Sequence, residues 1–195
     1  MRAHPNERKP IDLVVVGGSA GAIDALREMS LHLGMTFRPA MAVVVHMAQD
    51  ARAVLHEILS GPGRPRMKLA EDKEPIAAGT VYFAPPGYHL LIEAGHSFAL
   101  SVDAPEHFSR PSIDVLFESA ADSYGNRVAG VILSGANSDG AAGLRAIADA
   151  GGITVIQEPA TAEVSAMPDA ALLACPGSRV LSMQDIAKWL REMNA

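Results

Sequence analysis

Short apolar runs rich in valine and isoleucine alternate along this chain with stretches of helical periodicity. The first run, DLVVVG (Asp12 to Gly17), is followed by apolar residues at helical spacing from Ala20 to Leu33. The second, MAVVVH (Met41 to His46), precedes a predicted helix over Asp50 to Leu59. Runs without alternating polar residues are typical of strands buried on both faces, and strand–helix–strand order favours parallel pairing. The pattern therefore predicts an α/β fold with a doubly wound, mostly parallel sheet.

The middle of the chain departs from this alternation. Thr80 to Val102 contains three short β runs split by PPG and EAG, which predict an antiparallel hairpin or meander inserted at one edge of the sheet. Alternation then resumes with helices in SIDVLFESAADSYG, AAGLRAIADAGG, MPDAALLA and MQDIAKWLREM, and strands in RVAGVILSG and ITVIQEP. Because no repeat or low-complexity linker interrupts the chain, we expect one domain over 11–195 after a disordered polar lead-in over 1–10.

Composition narrows the possible classes of protein. The 195 residues are 49% hydrophobic and 19% charged, which is enough to bury a core. No apolar run reaches about 18 residues, so no membrane insertion is expected. The single cysteine, Cys175, excludes an internal disulfide and favours a cytoplasmic location. The net charge of −6, with no basic stripe, argues against nucleic acid as a partner.

Three polar residues of catalytic type follow predicted strands. Ser19 follows the first strand within GGSAG, His46 ends the second, and Asp139 follows the strand Val128–Leu133. Functional residues of open parallel sheets gather at the carboxyl ends of the strands. A serine that attacks, a histidine that carries its proton and a carboxylate that orients the histidine form the set needed for acyl transfer.

Each of these residues also has a purely structural interpretation. Ser19 can cap the following helix, His46 can be a hydrogen-bonded histidine at a strand end, and Asp139 can cap the helix beginning near Gly140. Ser134 and Ser165 are alternative nucleophiles without the glycine-rich turn. The histidines show no metal-ligand spacing such as H-x-x-x-H, so no metal is expected.

Known glycine-rich motifs fit the GGSAG turn unequally. G-x-S-x-G between a strand and a helix is the nucleophile elbow, but α/β-hydrolases place their acid before their histidine, whereas here the order is Ser19, His46, Asp139. The dinucleotide fingerprint G-x-G-x-x-G is not matched, because Ser19 stands at its second glycine. A phosphate-binding loop would need Gly-Lys-Ser/Thr, which is absent here.

Six blocks, in this order, resemble the catalytic domain of the chemotaxis protein-glutamate methylesterases. They are VVVGGSAGAIDAL, AVVVHM, VYFAPPGYHLLI, SRPSIDVLFESAA, GVILSGANSDGAAGL and IQEPATAEVSAMPDAAL. The resemblance runs from about Leu13 to the last helix. It implies a doubly wound α/β fold and a triad at Ser19, His46 and Asp139.

The resemblance also implies a chemistry and partners. The substrate would be a glutamate methyl ester on the cytoplasmic helices of a methyl-accepting chemotaxis receptor, hydrolysed to methanol through an acyl-enzyme, with deamidation of receptor glutamines as a related activity. No cofactor would be needed. Backbone N–H donors for the oxyanion are expected at Ala20 and in the turn around Ala136. Arg110 is expected either to meet an acidic receptor surface or to pair with a local carboxylate.

Two positions depart from the family pattern. Ala22 stands where relatives usually have glycine, and Ala136 stands where they usually have methionine, which raises a question of histidine packing and substrate fit. Many relatives carry an N-terminal receiver domain, for which about ten residues leave no room. A constitutive enzyme, regulation by a separate response regulator, and a fragment of a longer protein all stay open. So do two other functions: hydrolysis of another ester or amide, and receptor binding without catalysis.

Overall fold

A computed structural model describes residues 10–34, 36–46 and 64–193. Its strands are β1 (Leu13–Gly18), β2 (Ala40–Val45), β3 (Arg66–Leu69), β4 (Thr80–Phe83), β5 (His89–Ile92), β6 (Phe98–Ser101), β7 (Val128–Ile132), β8 (Ile153–Gln157) and β9 (Arg179–Leu181). Its helices are α1 (Ala22–Leu33), α2 (Ile113–Tyr124), α3 (Ala141–Asp149), α4 (Ala166–Ala174) and α5 (Met183–Glu192). The lead-in, apart from its last residue, and the helix predicted over Asp50 to Leu59 lie outside the described residues.

Seven of these strands form one sheet in the order β3-β4-β2-β1-β7-β8-β9. Every neighbouring pair in it is parallel. The predicted α/β fold class is thus confirmed. Because β1 lies between β2 and β7, the carboxyl ends of these three strands are neighbours.

The prediction for Thr80 to Val102 was correct in part. β5 and β6 form a separate antiparallel hairpin, but β4 pairs in parallel with both β2 and β3, so a three-stranded meander is wrong. All four residues of β4 are buried, as an inner strand requires. Its partner β3 is a short, partly exposed edge strand with two basic residues, which hid the pairing from the sequence pattern.

Alternate residues of β1 face two separate cores. Val15 packs in the core beneath α2, with Phe117 in that core. Val16 packs in the core on the opposite face, with Leu26 of α1 and Leu190 of α5. Helices therefore cover both faces of the sheet, which explains why β1 has no polar alternation. Within the described ranges, no helix has the length and apolarity that crossing a membrane requires.

Helices α2 and α3 approach each other closely through Gly143. A Cβ atom at this position would lie 2.5 Å from the Cβ of Phe117 and 3.0 Å from the carbonyl oxygen of Asp114. The first distance is shorter than real Cβ contacts and the second is tighter than most of them, and neither partner atom is the end of a flexible side chain. The contact explains why glycine stands inside a helix, where it lowers helix propensity.

We expect Gly143→Ala to lower the free energy of unfolding by about 1–2 kcal/mol, since overpacking outweighs the better helix propensity of alanine. Urea denaturation measures the difference. Gly95→Ala is the control, because no atom lies within 4 Å of the added Cβ. A Gly143→Ala variant as stable as the wild type would show that the two helices separate at no cost.

Candidate active site

The Gly18–Ser19 peptide group joins the ends of three strands. Its carbonyl oxygen accepts a hydrogen bond from the His46 amide at 3.0 Å, and its N–H donates to the Ser134 carbonyl oxygen at 2.9 Å. This bonding continues the parallel register in which Gly18 pairs with Val45. Ser19 and His46, two of the three predicted residues, therefore lie next to each other at the ends of adjacent strands.

The turn after β1 makes the helix-cap interpretation of Ser19 wrong. Helix α1 begins at Ala22 after Gly21, whose φ of 77° is left-handed, and no side chain caps it. A Cβ at Gly21 would lie 2.7 Å from the Cβ of Glu163 and 2.9 Å from Ser134 Oγ. Glycine is needed here both for its backbone and for space. Ser19 therefore does not cap α1, and the residue is only half-buried.

The hydroxyl of Ser134 is hydrogen-bonded to the backbone of this turn. Its buried hydroxyl donates to the Ala20 carbonyl oxygen at 2.7 Å and accepts from the Val164 amide at 2.9 Å. Its own amide donates to Gln157 Oε1 at 2.8 Å. With its hydroxyl engaged in this way, Ser134 is a support for the serine turn rather than the alternative nucleophile considered from sequence.

His46 connects this turn to Asp139. Its Nε2 lies 2.8 Å from Asp139 Oδ2, and its Nδ1 lies 3.5 Å from the hydroxyl of Ser109. Since a carboxylate only accepts hydrogen bonds, Nε2 carries the proton and Nδ1 has the lone pair, which faces the Ser109 hydroxyl. Among the described residues, no hydrogen bond joins Ser19 Oγ to either nitrogen. The structure thus brings His46 and Asp139 into contact and places Ser19 beside them without a bond.

Asp139 is fully buried and accepts four hydrogen bonds. Besides His46, the donors are the Ile113 amide at 2.8 Å, the Ser112 hydroxyl at 2.9 Å and the Asp114 amide at 3.0 Å. Burial raises the pKa of Asp139, but the bond from His46 and the amides of α2 outweigh it, so that the pKa lies below its ordinary value. The carboxylate is therefore ionised at the start of α2. It does not cap α3, whose N-cap is Gly140 without a side-chain bond, so that interpretation is wrong.

A second buried carboxylate, Asp114, completes a reciprocal arrangement. Asp114 lies in the first turn of α2 and accepts the Gly143 amide of α3 at 2.7 Å. Burial raises its pKa, and the nearby charge of Asp139 raises it further. The start of α2 thus contacts a carboxylate from the turn that precedes α3, and the first turn of α3 contacts a carboxylate of α2. The sequence does not single out Asp114, because acidic residues in a first helical turn are common and nothing in the pattern shows which are buried.

The loop between β6 and α2 is held by its own polar groups. Arg110 Nη1 donates to the carbonyl oxygens of Val102 and Asp103, both at 2.8 Å. His89, almost fully buried, lies with Nε2 3.0 Å from the Ala104 carbonyl oxygen. The predicted pairing of Arg110 with a local carboxylate is not seen among the described residues, and contact with a receptor stays a prediction.

The two backbone positions expected to serve an oxyanion, Ala20 and Ala136, are both exposed in turns at this edge of the sheet. Within the described ranges, one group could offer a metal-ligand set: His107, Asp114 and Asp139, whose ligand atoms lie within 4.8 Å of one another. Each Asp139 oxygen already accepts two hydrogen bonds, so a cation there would displace existing donors. This set does not fit a metal site.

Comparisons with known proteins agree with this geometry. The family model described as CheB methylesterase matches residues 14–190. A putative protein-glutamate methylesterase/protein-glutamine glutaminase of Leptospira interrogans is 44% identical over 177 residues, covering 91% of this chain and 92% of the relative. One from Anaeromyxobacter dehalogenans is 39% identical, and the match covers 98% of this chain but 56% of the relative.

A solved structure gives the same result. The crystal structure of the Thermotoga maritima CheB methylesterase catalytic domain superposes with a TM-score of 0.86 at 28% identity, covering 94% of this chain and 98% of that one. The family model, the relatives and this fold agree over nearly the whole described chain. This chain belongs to the CheB methylesterase family.

Proposed function

We propose that this chain is a protein-glutamate methylesterase that acts on methyl-accepting chemotaxis receptors, with Ser19 as nucleophile, His46 as general base and Asp139 as its orienting carboxylate. The observation that supports it best is the 2.8 Å contact between His46 Nε2 and the buried Asp139 beside the Ser19 turn, in a chain of this family. The relatives' names include a glutaminase activity, so deamidation of receptor glutamines belongs to the same proposal.

The chemistry follows from the unprotonated nitrogen of His46, Nδ1. Ser19 Oγ attacks the ester carbonyl while Nδ1 accepts its proton, and the oxyanion is met by the exposed turn containing Ala20. Collapse of this intermediate breaks the bond to methoxide, which takes the proton from Nδ1 and leaves as methanol. Water then attacks the acyl-enzyme with Nδ1 again as base, which releases the glutamate and restores Ser19. With an amide substrate the same steps release ammonia.

The negative charge of Asp139 stabilises the protonated form of His46 in these steps. When Nδ1 accepts a proton, the ring becomes an imidazolium, which an ionised carboxylate on Nε2 stabilises. Four hydrogen-bond donors keep Asp139 ionised despite complete burial. A separate response regulator as activator, and a cytoplasmic location, stay predictions.

We expect Ser19→Ala to reduce methanol release from a methylated receptor fragment by about 10³-fold or more, because no other group forms the acyl-enzyme. A serine-directed fluorophosphonate is expected to label the wild type and not this variant. Ser138→Ala is the control, since Ser138 is exposed near the same edge. Full turnover by Ser19→Ala would rule out the proposed mechanism.

We expect Asp139→Asn to lower the free energy of unfolding at pH 7 by about 3 kcal/mol, because an amide group would face the amides of α2. The pKa of Asp139 is lowered on folding, so its contribution is present above the ordinary pKa and disappears as the pH falls through the lowered value. The difference between variant and wild type should therefore shrink in acid.

Asp114→Asn is the matched comparison, because the amide oxygen retains an acceptor for Gly143. The pKa of Asp114 is raised on folding, so its contribution is present below the ordinary pKa and is lost as the pH rises through the raised value. We expect this variant to be as stable as the wild type or more stable at pH 7. Urea denaturation between about pH 4 and pH 8 tests both variants. Equal losses at pH 7 would contradict the assignment of opposite pKa shifts.

We expect Ser134→Ala to reduce kcat by about 10–100-fold with little change in KM, because the Ala20 carbonyl loses the bond that positions the nucleophile turn. Ser134→Thr keeps the hydroxyl and should restore kcat. The control is Ser178→Ala, which removes a 2.8 Å bond to Thr154 away from the site. If Ser134→Ala left kcat unchanged and lowered the free energy of unfolding as much as Ser178→Ala does, Ser134 would have only a structural role.

A further inference from the structure

Phe108 is the most exposed large apolar side chain of the described residues. The residue has 104% relative exposure, more than Leu173 at 87% or Val102 at 67%. Isolated apolar residues on a surface need no special explanation. Two features set Phe108 apart from the others: its left-handed backbone and its place next to Ser109, which contacts His46.

The backbone of Phe108 is left-handed, a conformation that disfavours a phenylalanine side chain. The amide of Glu106 donates to the Ser109 carbonyl oxygen at 3.1 Å, and that of Ser109 donates back at 2.8 Å. His107 and Phe108 form the two-residue turn between them, with φ of 47° and 61°. Turns of this kind favour asparagine and glycine, because other side chains strain a left-handed backbone. Phe108 is therefore not accounted for by the turn.

The turn lies beside the catalytic histidine. Ser109, the residue after Phe108, has its hydroxyl 3.5 Å from His46 Nδ1. Buried His89 anchors both ends of the loop. Its Nδ1 accepts a hydrogen bond from the Ser112 amide at 3.2 Å, and its Nε2 contacts the Ala104 carbonyl oxygen. Phe108 is thus presented at the rim of the site on an anchored loop.

The charges of this loop do not favour binding to an acidic protein surface. Its exposed Asp103 and Glu106 are acidic, and its single arginine, Arg110, is hydrogen-bonded to two backbone carbonyl oxygens. The whole chain carries a net charge of −6. An acidic protein surface would be repelled here, whereas an apolar surface would meet the ring of Phe108.

We propose that Phe108 docks the protein substrate by packing against apolar side chains on the receptor helix that carries the methylated glutamate. This inference rests on the proposed function. A glutamate side chain is short, so the helix that bears it must come against the rim of the site for the ester to reach Ser19. Methylation removes the charge of the glutamate, which suits the acidic rim. Phe108 contacts the helix and takes no part in bond making.

The test compares one large and one small substrate for Phe108→Asn, a substitution that the left-handed backbone accepts. We expect kcat/KM for a methylated receptor fragment to fall about 10-fold, mostly through KM, because one buried aromatic contact is lost. Hydrolysis of a small N-acyl glutamate γ-methyl ester should be unchanged. Phe108→Leu should recover part of the receptor activity, and Leu173→Asn, which alters an exposed residue of α4, should have no effect.

Salt provides a second readout. An apolar contact predicts that the loss caused by Phe108→Asn is the same at about 50 and about 500 mM NaCl, since screening affects charges alone. An equal loss on the small ester would show that Phe108 shapes the site and would overturn the inference, as would unchanged activity on both substrates. If the wild type released no methanol from the receptor while hydrolysing the small ester, the proposed receptor substrate would fail, and the inference with it.

Discussion

The buried carboxylate of Asp139 joins the parts of the molecule on which the site depends. A charge with no access to water must be matched by hydrogen-bond donors, and here the donors are the first amides of α2, the Ser112 hydroxyl and His46 after β2. Asp139 itself follows β7. The same four bonds therefore stabilise the contact between α2 and the sheet and orient the histidine, so that fold and site share one interaction.

Small residues allow α2 to come close enough for these bonds. A Cβ at Gly17 would lie 2.3 Å from Cγ2 of Ile113, and one at Gly140 would lie 2.6 Å from the same atom. Ile113 is the first residue of α2 and one of the donors to Asp139. The glycines of GGSAG and SDG thus do more than permit turns, because they leave space for the side chain that sets the helix start against the carboxylate.

The sequence was informative where local pattern decides the structure. Valine-rich runs located β1, β2 and β7, and the rule that parallel strands end at one edge grouped Ser19, His46 and Asp139. The sequence was uninformative where the structure depends on contacts between residues far apart along the chain. The cap interpretation of Ser19 failed because Gly21 turns left-handed before α1. The burial of Asp114 depends on α3, which lies about thirty residues downstream and packs against it.

The tautomer of His46 follows from the same buried charge. In the serine protease arrangement the carboxylate holds Nδ1 and Nε2 serves as base. Here the carboxylate contacts Nε2, so the proposed mechanism assigns proton transfer to Nδ1, the nitrogen nearer to the histidine backbone. That backbone is hydrogen-bonded to the Gly18–Ser19 peptide group. In the proposed mechanism, a nucleophile on the adjacent strand end uses this nearer nitrogen, whereas the farther one contacts Asp139. Either nitrogen of an imidazole can act as the base, and the contact of Nε2 with Asp139 leaves Nδ1 for that role in the proposed mechanism.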